Sequence, residues 1–375
     1  MTSTLPTVEA VPFLDLAAAH AEVAAEVEAG WAEVVGRTAF VGGPQIKAFE
    51  SEYATWSGIA HCVGVGNGTD AIEMALRALG VGPGDECILP ANTFIATAEA
   101  VTRSGATPVL VDCLLDTALV DVDAAAAAVT DRTRVVLPVH LYGQTASVEQ
   151  LRAALPSRVA ILEDAAQSQG AQRNGVAAGK LGDIAATSFY PGKNLGAYGD
   201  AGAVLTDSDD LAATVALLRE HGSPRKYEHT VLGFNSRLDT LQAVVLSAKL
   251  RRLDGWNAQR RAAAERYHTL LAGVDGVTGP VVAEGNLPVW HLYVVRVAER
   301  DRVLAELHEA KIGAGIHYPT AVHRTEAFAH LGKGSGSFPN AELLADEIIS
   351  LPMFPNITPA QQERVVSVLA EAVAR

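Results

Sequence analysis

The sequence holds only three cysteines, Cys62, Cys87 and Cys113. An odd number with no Cys-x-x-Cys pair argues against a disulfide framework. Each lies in or beside an apolar strand-like run, as small core residues in a reducing cytoplasm do. Basic clusters are also missing. The chain has 29 Lys and Arg against 43 Asp and Glu, a net charge of −14, so a phosphate-tracking nucleic-acid surface is not expected. No apolar run approaches the ~18 residues of a membrane helix; Ala124–Ala128 is short and bracketed by Asp and Thr. No charged segment precedes an apolar stretch at the N-terminus, so no signal peptide is expected. No HExxH, paired Cys or His/carboxylate cluster predicts a metal site. No internal repeat or low-complexity linker is present.

What is present suits a large interior. Hydrophobic residues make up 49% and charged residues 19% of 375 positions. That length predicts two domains, with the change of texture placed near residue 255: an α/β unit over 1–255 and a smaller α+β unit over 256–375. Helical spacing runs over Leu14–Val35, and a second helix runs from Pro44 to Trp56 with Gly58 as its stop. Strand-like runs follow at His61–Val65, Glu86–Leu89, Thr107–Val111, Val135–Val139 and Val159–Leu162. Helical runs separate them at Thr69–Leu79, Thr93–Arg103 and Val148–Leu155. That alternation predicts a largely parallel sheet with helices on both faces. Ile184–Tyr190 and Ala203–Thr206 read as further strands, Asp239–Leu253 as a long helix and Arg260–Leu271 as another. Beyond them the pattern predicts strands at Trp290–Val297 and Gly313–Ile316, a helix at Asp301–Glu309 and two late helices.

Five segments carry chemistry. Gly64–Asp70 joins a strand to a helix; its glycines allow close backbone approach, and the helix start offers free N–H groups to an anion. A structural turn with a Thr69 cap and a dinucleotide site are the competing readings, although Thr69 replaces the third glycine a dinucleotide fingerprint needs. Asp164, in Leu162–Gln167, is delivered to the C-terminal end of an apolar strand. There it either caps a helix or pairs with a cationic ring nitrogen. Lys193 lies in the irregular segment Ser188–Gly196. It is either solvated surface or an amine held by backbone and desolvated enough to be neutral. Ser188, five residues earlier, can reach a phosphate. Asn235 and Arg237 precede a helix, as a cap and a surface salt bridge or as ligand contacts. His317-Tyr318-Pro319 follows a glycine-rich strand.

Taken together, these segments resemble the DegT/StrS-type sugar aminotransferases. The resemblance runs from about Pro12 to the C-terminus through GNGTDAIEMAL, ANTFIATAEA, PVHLYGQ, EDAAQSQGA, SFYPGKNLGAYGDAGA, GFNSRLDTLQA, HLYVVR, GIHYP and SLPMFP. It implies fold type I of the pyridoxal 5′-phosphate enzymes: a mostly parallel seven-stranded sheet flanked by helices, plus a smaller α+β domain. Lys193 would attach the cofactor and Asp164 would hold its ring nitrogen. Phe94 would cover one ring face and Gln167 approach the other. Gly68, Thr69, Asp70 (by backbone) and Ser188 would hold the phosphate. Asn235 would reach the phosphate of a neighbouring subunit's cofactor, in a homodimer with shared sites. Tyr190, Tyr227, His317 and Tyr318 are the candidates for the sugar-nucleotide pocket. Lys193 stands where a dehydrating subset of the family has His, so amino transfer is implied, with L-glutamate as donor and 2-oxoglutarate released. Arg219–His229 and the following Asn-Ser-Arg-Leu-Asp look like the enzymes that aminate C3 of a dTDP-3-keto-6-deoxyhexose; relatives acting at C4 more often show Asn-Tyr-Arg-Leu. Such enzymes serve deoxyaminosugar synthesis for antibiotics or surface polysaccharides.

Two rivals come from other classes. An NAD-dependent sugar epimerase or dehydrogenase needs a glycine fingerprint near the N-terminus and a Tyr-x-x-x-Lys pair, and neither is present. A non-catalytic regulator of the same fold has no need of Lys193, Asp164 and Ser188 together.

Overall fold

The computed structural model describes residues 10–375. The first helical stretch is two helices, α1 (Leu16–Ala21) and α2 (Ala24–Gly36), not one. Asp15 caps α1, and the break falls at Val23, whose φ of −123° turns its buried side chain into a cluster with Val27, Val245 and Trp256. Helix α3 (Pro44–Ser57) starts on proline and stops at Gly58, whose φ of +67° is the left-handed turn a glycine takes without a Cβ penalty.

An alternating stretch follows: β1 (His61–Val65), α4 (Gly68–Ala78), β2 (Glu86–Pro90), α5 (Ile95–Ser104), β3 (Thr107–Val111), α6 (Val122–Ala127), β4 (Thr133–Val136), α7 (Val148–Ala154) and β5 (Ala160–Asp164). A short hairpin, β6 (Gln172–Arg173) and β7 (Val176–Ala177), precedes β8 (Ile184–Ser188), β9 (Gly202–Thr206), α8 (Asp209–Arg219) and α9 (Thr240–Leu271). Seven strands form one sheet in the order β1-β9-β8-β5-β4-β2-β3. Only β9 runs against its neighbours, β8 and β1; the other pairings are parallel. The C-terminal ends of β1, β2, β5 and β8 therefore share one edge, where open α/β sheets bind ligands. Asp164 pairs with Ala186, which sets the end of β5 beside the end of β8.

Two consecutive carboxylates end β5, and the pleat sends them to opposite faces. Glu163 is fully buried. Its Oε1 accepts from the N–H groups of Leu181 and Gly182, and its Oε2 from Gly179 N–H and His140 Nε2. Because Ala146 N–H donates to His140 Nδ1, the imidazole proton is on Nε2, aimed at Glu163. Every strong acceptor direction of Glu163 is thus satisfied, which makes its burial tolerable. Glu163 anchors the strand, and Asp164 is left for the ligand edge.

Helix α9 runs unbroken for 32 residues, where the sequence reading had two helices. Gly255 in its middle meets no neighbouring atom within 4 Å, so the chain continues helically through it. The division proposed near residue 255 falls inside this helix.

The smaller unit contains β10 (Val277–Thr278), β11 (Asn286–Leu287, paired back to β6), β12 (Tyr293–Val297), α10 (Arg300–Glu309), α11 (Pro339–Glu347), β13 (Ile348–Leu351) and α12 (Pro359–Val373). Its sheet has the order β10-β12-β13. β12 begins three residues later than expected because Trp290 takes φ +49°, which extended backbone does not allow. Gly313–Ile316 forms only a bridge, Gly315 with Ser350. A Cβ on Gly313 would lie 2.4 Å from Phe13 N, so this segment packs against the backbone ahead of α1.

Candidate active site

A cavity of about 620 Å³ lies between the ligand edge of the main sheet and the smaller unit. A second cavity, about 220 Å³ behind Tyr142, has no lysine in its lining. The chemistry-bearing residues gather in the first.

One end of the cavity suits a dianion. Helix α4 opens at Gly68, and its first N–H groups, on Gly68 and Thr69, have no intrahelical acceptor. A Cβ on Gly68 would lie 2.6 Å from Ser188 Cβ, so only glycine lets the helix start close onto the end of β8. Ser188 Oγ and these N–H groups thereby converge on one rim. The cap is Asn67, not Thr69: its Oδ1 accepts from Asp70 N–H at 2.8 Å. Asp70 thus departs from the role expected of it. Its N–H belongs to the cap, its carboxylate takes Ser236 Oγ (2.7 Å) and Arg103 (3.2 Å), and it does not line the cavity.

The same cavity also has an acidic group in its lining. Asp164 is 5% exposed, and its Oδ2 accepts from Thr97 Oγ1 at 2.7 Å. Thr97, having spent its proton there, accepts from Thr93 Oγ1, also at 2.7 Å. Asp164 Oδ1 accepts Ala166 N–H at 3.2 Å. Phe94, the cap residue of α5, is half-exposed on the wall, with its ring centroid 5.0 Å from that of Tyr318. Gln167 is clamped: Oε1 accepts Tyr142 N–H (2.7 Å) and Nε2 donates to Tyr318 Oη (3.0 Å). Tyr142 in turn donates to the carbonyl of His317 at 2.6 Å, tying the two units together.

Lys193 stands on the wall with Asp164, in the loop between β8 and β9. The loop is held by its own backbone: Lys193 N–H reaches Tyr190 O, Ala197 N–H reaches Phe189 O and Phe189 N–H reaches Ala201 O, each at 2.8 Å. Burial pushes the Lys193 amine down to about 8, with the nearby charge of Asp164 pulling the other way. A substantial neutral fraction near neutral pH is what a nucleophilic or basic lysine requires.

His317 and Tyr318 enter from the smaller unit. Burial, then the charge of Lys193, lowers His317 to about 4, and its Nδ1 lies 2.8 Å from Ser350 Oγ. Tyr190 lines the cavity and is 59% exposed. Asn235 and Tyr227 do not line the cavity of their own chain; Asn235 is exposed and Tyr227 is 83% exposed in the loop after α8. Sequence reasoning missed Thr93, Thr97 and His291. The threonines had a signal, a spacing of four across the expected start of a helix, although Thr93 precedes the Phe94 cap of α5. His291 had little beyond its place in HLYVVR.

This arrangement defines the site of a pyridoxal-phosphate enzyme: a lysine whose pKa is lowered, a buried carboxylate supported by a hydroxyl, and a helix-start cradle for a phosphate. Pyridoxal 5′-phosphate fits it, because the cradle closed by Gly68 and Ser188, the carboxylate of Asp164 and the amine-bearing Lys193 all line one cavity. The chain belongs to the DegT/DnrJ/EryC1/StrS aminotransferase family, which it matches over residues 22–370. It is 47% identical to the erythromycin biosynthesis sensory transduction protein EryC1 of Saccharopolyspora erythraea, over 96% of this chain and 98% of that one. It is 44% identical to the dTDP-3-amino-3,4,6-trideoxy-alpha-D-glucose transaminase of Streptomyces venezuelae, over 97% of each. Its fold matches that of S. venezuelae DesV, solved in complex with a ketimine intermediate, with a TM-score of 0.95 and 44% identity over 98% of this chain and 99% of that one. No helix among the described residues is long and apolar enough to cross a membrane, and no group of three or more metal-ligating side chains occurs among them.

Proposed function

We propose that this enzyme moves an amino group from L-glutamate to C3 of a dTDP-linked 3-keto-6-deoxyhexose, in the synthesis of a deoxyaminosugar. The observation that carries the reading is Lys193, set on one wall with Asp164 and depressed in pKa, in a cavity large enough for cofactor and sugar together. The names of the transaminase relative and the motif around Asn235 support the sugar and the position; amination at C4 is the alternative.

The cofactor, when bound, supplies a protonated pyridine that accepts electrons from the bond broken at the donor's α-carbon. The rest is the work of the chain. Asp164, with Thr97 donating to it, holds a positive charge on the ring nitrogen. Gly68, Thr69 and Ser188 would hold the cofactor's phosphate, which would orient it toward Lys193. Lys193 Nζ takes the proton from the donor's α-carbon and, in the second half, returns one to the sugar carbon that gains nitrogen. Phe94, Gln167 and Tyr318 wall the site and exclude water. Tyr190, His317 and Tyr318 face the space where the sugar would sit.

The reading includes a homodimer in the cytoplasm. Asn235 and Tyr227 are exposed and outside their own cavity, as residues completing a partner's site would be, and the three cysteines are buried free thiols. The test is to offer purified protein and glutamate a panel of nucleotide-linked keto sugars and to locate the new amine by NMR. Amine at C3 of a dTDP sugar is expected; amine at C4 would select the alternative, and no amination of any sugar would refute the reading.

A further inference from the structure

Asn194, the residue after Lys193, is buried, as are Asn257 on α9 and His291 ahead of β12. A backbone carbonyl only accepts, and two such carbonyls orient this group. Asn194 Nδ2 donates to Val289 O at 3.0 Å and to Asn257 Oδ1 at 2.9 Å. Asn257 Nδ2 donates to Gln169 O at 2.9 Å. Flipping either amide would set oxygen against a carbonyl, so both orientations are fixed by chemistry. Asn194 Oδ1 is therefore an acceptor, and it faces His291 Nδ1 at 3.3 Å. The imidazole proton must be on Nδ1.

Burial holds His291 well below the ordinary histidine range, and the charges of Lys193, Arg260 and His317 push the same way, so the ring is neutral. A neutral ring protonated at Nδ1 carries its lone pair on Nε2. Nε2 has no hydrogen-bond partner among the described residues, and His291 lines the cavity that holds Lys193. His317 differs, because its partner Ser350 Oγ can donate or accept and leaves the tautomer open.

We propose that His291 is a positioning residue for Lys193: the two side chains share the cavity without being hydrogen-bonded in this structure, and when turnover releases the lysine amine from the cofactor it swings to donate to Nε2 of His291, which holds it where it moves the proton. The proposal rests on the aminotransferase reading. Lys193 and Asn194 are adjacent in the chain, so the segment that carries the amine also fixes the tautomer of the ring that receives it. No proton is gained or lost in the contact; the amine donates and Nε2 only accepts.

The test uses holoenzyme with 15N-labelled histidine, the His291 signals being assigned by their loss in His291→Asn. The expected spectrum has a protonated Nδ1 and an unprotonated Nε2. A second arm measures single-turnover release of oxoglutarate from glutamate in two variants. The Asn amide replaces Nδ1 and removes the acceptor from the cavity; the Gln amide reaches the position of Nε2 and restores one. His291→Asn is expected to slow the half-reaction about 3- to 10-fold at saturating glutamate, the worth of one hydrogen bond between neutral groups. His291→Gln should recover most of that loss, with little change in KM for either. A proton on Nε2 in the wild type, or a Gln variant as slow as the Asn variant, would overturn the proposal while leaving the aminotransferase reading intact. A wild-type holoenzyme that releases no oxoglutarate would instead overturn that reading, and the proposal with it. Should either variant fail to fold, the wild-type tautomer still decides.

Discussion

Thr97 donates its hydroxyl to Asp164 Oδ2 across 2.7 Å, joining the first turn of α5 to the end of β5. The bond fixes the carboxylate, so that it would meet a cofactor's ring nitrogen without reorganising, which is how a preorganised site saves activation energy.

Asp164→Asn is expected to keep the fold and lose most activity, because an amide does not hold the ring nitrogen protonated. Thr97→Val should give a smaller defect, about tenfold in kcat, the worth of one hydrogen bond to a charged group. Steady-state kinetics with circular dichroism as the fold control checks both. Near-normal turnover in Asp164→Asn would place the pyridinium partner elsewhere.

The parts of the molecule legible in the sequence are those with a local cause. Strands β1 and β3 appear at the expected residues because apolar runs bounded by glycine, proline or charge leave little choice. Asp164 and Ser188 end strands β5 and β8, and Gly68 and Lys193 lie in the segments that follow β1 and β8, so their places follow from those runs. What was not legible depends on distant partners. Val23 breaks the first helix because its pocket is made by Val245 and Trp256, more than two hundred residues on. Asp70 departs from the expected phosphate-holding role because Asn67 takes its N–H. The Asn194, Asn257 and His291 chain joins three segments whose proximity no local pattern encodes. Helix α9 hides the division between units because a glycine with nothing near it does not stop a helix flanked by strong helical sequence.

The lowered pKa of Lys193 sets a pH dependence with a definite sign. The reactive form is the neutral amine, so capture of pyridoxal phosphate by cofactor-free protein should speed up with rising pH and level off above about 8. An unperturbed lysine, with a pKa of about 10.4, would keep accelerating through pH 9 and 10. Asp164 raises the Lys193 value, so in Asp164→Asn the plateau should begin at a lower pH. Stopped-flow absorbance across pH 6–10 reads both curves; a midpoint near 10 in the wild type would contradict the buried amine.

If Asn235 and Arg237 act across a twofold interface, each chain lends the same loop to the other. Mixing inactive Lys193→Ala with inactive Asn235→Ala/Arg237→Ala should then form dimers with one doubly defective site and one intact site. Activity should return in part once subunit exchange is confirmed by mass spectrometry. A fully active monomer by light scattering, or no recovery in confirmed mixed dimers, would contradict the shared site.

The attachment point is the most direct test of the whole account. Holoenzyme reduced with borohydride and digested should yield one peptide carrying the reduced cofactor, with the label on Lys193, and Lys193→Ala should neither take the label nor turn over. Label on another lysine, or an active Lys193→Ala protein, would contradict the account.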